Sequence, residues 1–424
     1  MQLWKEHFER HLNTSFTHEE AALQTLEDAY VDPDSNNLEI NKDEVRKAIN
    51  KLKNKKAPGI DTITAEVIKA GGEEMVDMLL KIFNNIWNNE KSPRDFSRMI
   101  VTPVYKKGDR QSPENFRAIS LLSIPGKIFL RIMLGRMQAN IGAKLRESQF
   151  GFREGRGTVD AIFIVRQIIE KANERKIPLN SHFIDFKAAF DTIWREALWK
   201  MMKATGINPK IINIVRNMYD NTQCSVVIDG HLTEWFEVTV GVRQGCILSP
   251  TLFNLFLEFV MEDLKSLEDF HLNNNLSADI RYADDTTLVS VILEKLKIST
   301  KELECACKRW GLKVNGAKCK VLSPEQPSEI EINGEQIENV DHFIFLGSVV
   351  PNSSDDVRRR TALASSAFGR LKKNVWSNRD ISYSLKMRLY ASLILPIATY
   401  ASETWTLKVE DEQKLKYLKT NVLE

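Results

Sequence analysis

The stretch "RYADDTTLVS", residues 281–290, places two adjacent aspartates between residues that favour β-strands. Apolar and polar residues alternate on either side of Ala283 to Asp285, and the alternation breaks there. This pattern predicts two strands joined by a tight hairpin. Two carboxylates this close repel each other, and removing them from water is costly. Two explanations stay open for the pair: a solvated turn, or a site for a cation.

A second acidic position lies in "SHFIDFKAAFDTIW", residues 181–194, which predicts a strand up to Asp185 that continues as a helix. If this strand and the hairpin are antiparallel neighbours, Asp185, Asp284 and Asp285 meet within about 5 Å. Carboxylate oxygens are the ligands that Mg²⁺ prefers. Two such ions about 3.5–4 Å apart activate an attacking hydroxyl and stabilise a leaving pyrophosphate.

Composition narrows the class of protein. The 424 residues are 43% hydrophobic and 27% charged, with a formal net charge of +2, which excludes global disorder. The five cysteines lack zinc-site spacing, no apolar run reaches the ~18–20 residues of a membrane span, and the N-terminus does not resemble a signal peptide. We therefore expect a reduced intracellular protein. Basic residues concentrate in four stretches that could meet a polyanion, although solvated helix faces explain them equally well: 42–56, 106–110, 117–153 and 358–388.

Strand and helix patterns interleave in the middle of the chain, and helical patterns dominate its ends. This order predicts an α+β protein whose antiparallel sheet carries helices on one face. A second hairpin is predicted at Asp229-Gly230. The clearest predicted helices are 41–55, 72–88, 121–141 and 294–310.

Several blocks occur in a set order: "FIDFKAAFD", "GVRQGCILSP", "RYADD", "GLKVNGAKCKVL" and "FLG". In this order they resemble the catalytic blocks of reverse transcriptases. The upstream blocks "KKAPGID", "PVYKKGD", "NFRAISLLS" and "SQFGFREGRGTVDAI" look like those of the non-LTR (LINE-type) retrotransposon branch. The resemblance runs continuously from about Asn50 to Val350.

The resemblance implies a right-hand polymerase fold of fingers, palm and partial thumb. It implies a helical extension or linker over residues 1–48, fingers and palm over 49–350, and a truncated helical thumb-like region over 351–424. The start "LWKEHFERHLN" looks like a link that follows an endonuclease, and the chain ends soon after "YASETWTL". We therefore expect a fragment of a larger element protein or a shortened genomic copy.

The resemblance also implies a metal site. Asp185 and Asp284 match the family's metal-binding aspartates, and Asp285 matches a weaker or indirect ligand. The main-chain carbonyl of Phe186 would complete one metal shell. The expected cofactor is a pair of Mg²⁺ ions, with Mn²⁺ as a substitute. Lys318 matches a lysine that protonates the leaving pyrophosphate, although a solvated loop lysine is an equal alternative.

A second group of residues matches positions that bind the incoming deoxynucleoside triphosphate. Arg117 matches the arginine that neutralises the triphosphate, with Lys106 or Lys107 as helper. Its neighbour departs from the family, since Arg117-Ala118-Ile119-Ser120 stands where Arg-Pro-Ile-Ser is usual, which leaves activity open. Gln244 and Gly245 match the block beside the nucleotide and template.

Three further matches complete the implied site. Phe190 matches the aromatic residue that rejects a 2′-OH, and the core of the protein is its alternative place. Arg243 would contact a phosphate or form a surface salt bridge. The segment Phe345, Leu346 and Gly347 resembles the primer grip, a hairpin that presents its backbone to the primer end.

Together these matches favour an RNA-directed DNA polymerase that copies retrotransposon RNA from a primer 3′-OH. The expected partners are an RNA template, a DNA primer and a separate endonuclease domain or protein, in a cytoplasmic or nuclear ribonucleoprotein with no membrane association. Two alternatives stay open. One is a catalytically inactive, element-derived RNA-binding protein, and the other is a small-molecule phosphotransferase.

Overall fold

The computed structural model describes residues 1–28, 37–267, 277–324 and 328–423. The chain divides into two compact units. The first unit comprises Met1–Gln149, Phe186–Lys265 and Lys301–Val314, and the second comprises Phe150–Asp185, Ser266–Thr300 and Asn315–Glu424.

The elements are numbered in chain order. The α-helices are α1 (Gln2–Leu12), α2 (Ala22–Asp28), α3 (Lys42–Asn50), α4 (Ala65–Ala70), α5 (Gly72–Asn89), α6 (Arg94–Ser97), α7 (Ile124–Lys144), α8 (Thr158–Glu174), α9 (Arg195–Ala204), α10 (Pro209–Asp220), α11 (Ser249–Glu262), α12 (Leu293–Trp310), α13 (Ser353–Arg370), α14 (Tyr383–Leu389), α15 (Leu395–Ala398) and α16 (Val409–Leu423). The strands are β1 (Arg98–Tyr105), β2 (Phe116–Leu121), β3 (Asn180–Ile184), β4 (Gln223–Ile228), β5 (His231–Leu232), β6 (Phe236–Glu237), β7 (Ser277–Tyr282), β8 (Asp285–Ser290), β9 (Lys320–Leu322), β10 (Glu331–Ile332), β11 (Glu335–Gln336), β12 (Phe343–Phe345) and β13 (Ser348–Val350).

The first unit is built on a mixed sheet of order β2-β1-β4-β5, with β6 also paired to β4. Strand β1 runs antiparallel to β2 and parallel to β4. Helices α5 and α7 contribute large buried rings to the core, for example Phe83 and Phe129, whose centroids lie 5.3 Å apart. The β1–β2 hairpin closes with the pair Tyr105 and Phe116, so its tip projects as an exposed loop.

The second unit contains an antiparallel sheet of order β7-β8-β3-β9. Apolar residues of α8, including Ile162 and Val165, pack with Phe183 of β3 in one buried cluster. His182 of β3 points the other way, and its Nδ1 lies 3.0 Å from Thr300 Oγ1 of α12. Burial lowers the pKa of His182 to about 3, so this imidazole is neutral at physiological pH. Every residue of β3 is buried. The helices and sheets of the two units confirm the predicted α+β class.

Most predicted elements are confirmed within a few residues. Helices α5, α7 and α12 match their predicted ranges, and α3 ends at Asn50, earlier than predicted. The helix α3 begins where Asn41 forms a capping box with Glu44. Both predicted hairpins are present, β4–β5 around Asp229-Gly230 and β7–β8 around Ala283-Asp284.

The predicted helix after Asp185 is wrong. Residues 186–194 form turns, and helix α9 begins only at Arg195. The backbone groups of this segment pair with other loops: Lys187 N donates to Lys313 O at 2.8 Å, and Phe190 O accepts from Val242 N at 2.7 Å. These bonds satisfy backbone groups that a helix would otherwise pair internally.

The boundaries expected near residues 48 and 350 stay predictions, since each compact unit draws on three separate segments of the chain. Every helix in the described ranges is too short or too polar to serve as a membrane span.

Candidate functional site

The acidic hairpin of the second unit lies directly beside the end of β3. Strand β7 ends at Tyr282 and β8 begins at Asp285, with Ala283 in the left-handed region at φ 57°. Ile184 pairs with Thr286 in the β3–β8 ladder, so the same register extended by one residue places Asp185 opposite Asp285. Neighbouring strands lie about 5 Å apart. The sheet therefore brings Asp185 to the Asp284-Asp285 turn, as predicted.

The three carboxylates interact electrostatically. The pKa of Asp285 is raised to about 6, first by burial and then by the negative charges of Asp284 and Asp185, while Lys318 opposes the shift. The charges of Asp284 and Asp185 thus disfavour the ionised form of Asp285.

Asp185 is held by the loop of residues 315–319, which lies beside it. Its Oδ2 accepts hydrogen bonds from Asn315 Nδ2 at 3.0 Å and Lys318 Nζ at 3.1 Å, and its carbonyl accepts from Asn315 N at 2.7 Å. Lys318 is two-thirds exposed and Asp185 one-third. Asn315 was missed in the sequence, although the Asn315-Gly316 pair predicts a turn that could have drawn attention to it.

Cys319 contacts the backbone of Asp185. Its thiol is buried, and Asp185 N donates to Cys319 Sγ at 3.5 Å. Burial raises the pKa of Cys319 to about 11, so it stays a neutral thiol at physiological pH. Cys319 therefore supports the loop by packing.

Within the described ranges, no three His, Cys, Asp or Glu side chains form a ready-made metal-binding group. The donor set still suits a hard cation, because carboxylate oxygens meet at a turn where the charge on one raises the pKa of another. Phe186, whose carbonyl was expected to join them, has a buried side chain and forms a β-bridge with Val314 in the first unit.

Gly151, in the "SQFGFREGRG" block, packs against the acidic turn. Phe150 N donates to Arg281 O at 2.8 Å, which aligns this segment along the end of β7. A Cβ at position 151 would overlap the backbone nitrogen of Ala283. The glycine thus permits the close approach of two backbones beside Asp284.

We expect Gly151→Ala to displace the turn that carries Asp284 and to lower any activity of the acidic site by about 10–100-fold, because small shifts of reacting groups are costly. Steady-state rates measure the effect. Gly369→Ala is the control, since a Cβ there meets no atom within 4 Å. Equal activity of the two variants would contradict this role for Gly151.

The predicted triphosphate-binding residues lie in the first unit. Lys106 and Arg117 are both exposed near the tip of the β1–β2 hairpin, and Lys106 N donates to Asn115 O at 2.8 Å. The register pairs Arg117 with Val104, so Lys106 and Arg117 point to the same face of the hairpin. Two cations therefore share one face, an arrangement suited to a polyphosphate.

Gln244 and Gly245 are held against β2. Ser120 N donates to Gln244 O at 2.8 Å, and a Cβ on Gly245, whose φ is +107°, would lie 2.7 Å from Ser120 O. The Gln244 side chain donates through Nε2 to Asp191 Oδ2 at 2.6 Å. Asp191 is buried, and His11 Nε2 of α1 lies 3.4 Å from the same oxygen. Asp191, in "AAFD", thus orients Gln244, a role that sequence reasoning missed.

Both interpretations of Arg243 are wrong. The guanidinium is buried and donates to the carbonyls of Phe96 (2.8 Å) and Met218 and to Thr222 Oγ1 at 3.1 Å. It also lies over the ring of Tyr219. A guanidinium that donates to main-chain carbonyls of α6 and α10 in the core is unavailable to phosphate, and nothing in its local sequence distinguishes it from an exposed arginine.

The ring of Phe190 and the hairpin of residues 343–350 are described by the structure, and their expected roles at the sugar and at the primer end stay predictions. Phe190 is half-buried and stacks on Phe253 with ring centroids 4.4 Å apart. The segment Phe345 to Gly347 forms the turn between β12 and β13. The Leu346 carbonyl accepts from Tyr400 Oη at 2.8 Å and the Gly347 carbonyl from Arg359 Nη1 at 2.9 Å. A primer that binds to these carbonyls would therefore compete for them with Tyr400 and Arg359.

A family model described as reverse transcriptase (RNA-dependent DNA polymerase) matches residues 104–350, more than half of the chain. The chain belongs to the reverse transcriptase family. The right-hand polymerase fold class expected from the sequence is the fold class of this family, and reverse transcriptases generally use divalent metal ions.

Two relatives carry informative names. This reverse transcriptase is 27% identical to the probable RNA-directed DNA polymerase from transposon BS of Drosophila melanogaster, over 94% of this chain and 46% of that protein. It is 25% identical to the RNA-directed DNA polymerase from mobile element jockey of Drosophila funebris, over 90% and 43%. The chain thus spans less than half of the length of these relatives. A solved structure of apo telomerase from Candida tropicalis, truncated from its C-terminal domain, shares 16% identity and a TM-score of 0.45 over 65% of this chain and 58% of that one.

Proposed function

We propose that this chain is an RNA-directed DNA polymerase that copies retrotransposon RNA by adding deoxynucleotides to a primer 3′-OH. The observation that carries the proposal is the alignment of Asp185 with the Asp284-Asp285 turn across the β3–β8 ladder. Family membership and the names of the relatives supply the reaction class and the template.

The carboxylates are proposed to hold two Mg²⁺ ions, for which Mn²⁺ can substitute. Asp185 and Asp284 would be the principal ligands, with Asp285 and the Phe186 carbonyl as further oxygens. Bound ions supply positive charge for the attacking hydroxyl and the leaving pyrophosphate. The raised pKa of Asp285 supports this role, because after burial its causes are the negative charges of Asp284 and Asp185, and a bound cation relieves repulsion between carboxylates.

Lys318 is proposed to donate a proton to the departing pyrophosphate. Its ion pair with Asp185 keeps the ammonium beside the carboxylate cluster. Asn315 is proposed to orient Asp185, because its backbone and side chain both bind that residue.

Nucleotide binding is proposed for Lys106 and Arg117, through the triphosphate, and for Gln244 and Gly245, through the base-pairing region. Their support is the shared face of the two cations and the fixed orientation of the Gln244 amide. The Phe345–Gly347 turn is proposed to position the primer end.

Phe190 is proposed to exclude the 2′-OH of a ribonucleotide, so we expect Phe190→Val to raise ribonucleotide incorporation relative to deoxynucleotides by about 10–100-fold. The ratio of kcat/KM for the two sugars measures this. Phe253→Leu is the control, since it alters the ring on which Phe190 stacks while Phe190 itself stays in place. Unchanged sugar discrimination in Phe190→Val would assign the ring to the core alone.

Primer extension by the purified chain tests the proposed function. With an RNA template and a DNA primer, we expect deoxynucleotide incorporation that requires Mg²⁺ or Mn²⁺ and stops when EDTA is added. Tight template binding without extension at any concentration of either ion would instead favour the non-enzymatic RNA-binding protein.

A further inference from the structure

A polar cleft of about 520 Å³ lies in the first unit, among residues that the proposed polymerase chemistry does not use. One wall is a row of side chains across three strands. Arg98 of β1 pairs with Gln223 of β4, and Gln223 pairs with Glu237 of β6. Residues at paired positions of neighbouring strands point to the same face, so these three side chains form a row on one face of the sheet.

The opposite wall is the loop from Lys91 to Arg94, which is fixed to α10 at two points. Asn213 Nδ2 donates to Glu90 Oε2 at 2.9 Å. Asn217 Oδ1 accepts from both Ser92 N (2.9 Å) and Ser92 Oγ (3.0 Å). These bonds occupy the Asn217 carbonyl and leave its amide N–H groups available at the cleft, which Asn217 also lines. The wall is therefore formed before any ligand arrives.

The cleft carries three cations against one carboxylate. Lys91 and Arg94 are exposed, and neither forms an ion pair within the described ranges. The Arg98 guanidinium lies 5.2 Å from the centre of the Trp235 ring, which restricts its position. Isolated surface cations need no explanation, but these three line the same cleft together with side-chain amide donors.

We propose that this cleft binds phosphate groups of a nucleic-acid strand, at a site separate in function from the proposed catalytic residues. Guanidinium groups bind phosphate oxygens through two parallel hydrogen bonds, and amides add neutral donors. The volume falls within the range of pockets for drug-sized ligands and far exceeds a single phosphate, so a strand segment satisfies more donors than a free anion does. The negative charge of Glu237 repels phosphate, so we expect removal of this charge to increase the affinity of the cleft for the strand.

Fluorescence anisotropy with the full chain and a labelled 20-nucleotide single-stranded RNA tests this. EDTA is present and nucleotides are absent, so the result does not depend on polymerase activity. We expect Lys91→Gln/Arg94→Gln to weaken binding by about tenfold and to reduce the salt slope by about 0.7 for each lost phosphate contact. Glu237→Gln should tighten binding by about two- to threefold, because it removes a repulsive charge. The control is Lys81→Gln, because Lys81 is an exposed lysine of α5 outside the cleft. Its substitution should change RNA binding less, for each charge removed, than substitution of Lys91 and Arg94 does.

The two sets of variants are expected to change RNA affinity in opposite directions. This distinguishes a phosphate-binding site from a general effect of charge or of misfolding. Wild-type affinity in the double variant, weakening no larger per charge than in Lys81→Gln, or weaker binding in Glu237→Gln would each overturn the proposal. Sodium tripolyphosphate is the competitor that separates the two phosphate sources. If it displaces the labelled RNA as well as unlabelled RNA does at equal phosphate concentration, the ligand is a free anion and the assignment to a strand is wrong.

Discussion

Replacing Asp185 by asparagine is expected to lower the rate of primer extension by roughly a thousandfold or more, with little change in folding. The substitution removes a negative charge that is proposed to bind the catalytic ions. Charge stabilisation by such ions is worth several kcal/mol, and each 1.36 kcal/mol is a factor of ten in rate. An asparagine side chain keeps the volume and one oxygen of the aspartate that it replaces, so the β3–β8 ladder has no reason to change.

Asp284→Asn should give a loss of similar size, because Asp284 lies on the turn that faces the end of β3. Asp341→Asn is the control, since Asp341 is an exposed aspartate of the same unit away from the cluster. Extension rates at saturating Mg²⁺, together with melting temperatures, separate catalysis from stability. If Asp185→Asn extends primers as fast as the wild type does, the acidic cluster is not the catalytic site.

The placement of this cluster could be predicted from the sequence because it depends on local patterns. Alternation on both sides of Ala283–Asp285 sets the hairpin, and the strand pattern that ends at Asp185 sets its neighbour. In a sheet these two features fix which residues meet at an edge. The hydrogen bonds from Asn315 and Lys318 to Asp185 depend on a loop 130 residues further along, for which no local pattern gives the partner.

The sequence could not predict contacts that replace local structure. "FKAAFD" has the residue types of a helix, but its backbone bonds to loops near Val242 and Lys313, and tertiary contacts override helix propensity there. Arg243 shows the same limit for side chains. Its burial depends on carbonyls of Phe96 and Met218, which come from two other segments.

Asp356→Ala is expected to destabilise the second unit by about 3–5 kcal/mol, the usual cost of leaving a buried charge without its partner. Asp356 is fully buried beside Arg166, with Arg166 Nη2 3.2 Å from its Oδ2. Burial lowers the pKa of Arg166, and the charges of Asp356 and Glu170 raise it, so removal of the Asp356 carboxylate takes away the larger of the two charges that offset burial.

The same carboxylate holds the hairpin that is proposed to grip the primer. Asp356 accepts hydrogen bonds from Val349 N at 2.9 Å, Ser348 Oγ at 2.5 Å and Trp405 Nε1 at 2.8 Å. Its loss should therefore release β13 as well as Arg166. We expect a higher KM for primer–template in Asp356→Ala at temperatures where the chain is still folded, because the turn at Leu346-Gly347 is then less restricted.

Asp355→Ala is the matched control, because the two aspartates are neighbours in the first turn of α13. Asp355 pairs with Arg358 at the surface, at 3.2 Å, and exposed pairs of this kind contribute about 0–1 kcal/mol. Urea unfolding followed by tryptophan fluorescence suits the comparison, since Trp405 contacts Asp356 directly. A loss of stability in Asp356→Ala no larger than that in Asp355→Ala would mean that Arg166 finds another partner. The hairpin would then owe its position to other donors, which include Tyr400 at the Leu346 carbonyl and Arg359 and Arg360 at the Gly347 carbonyl.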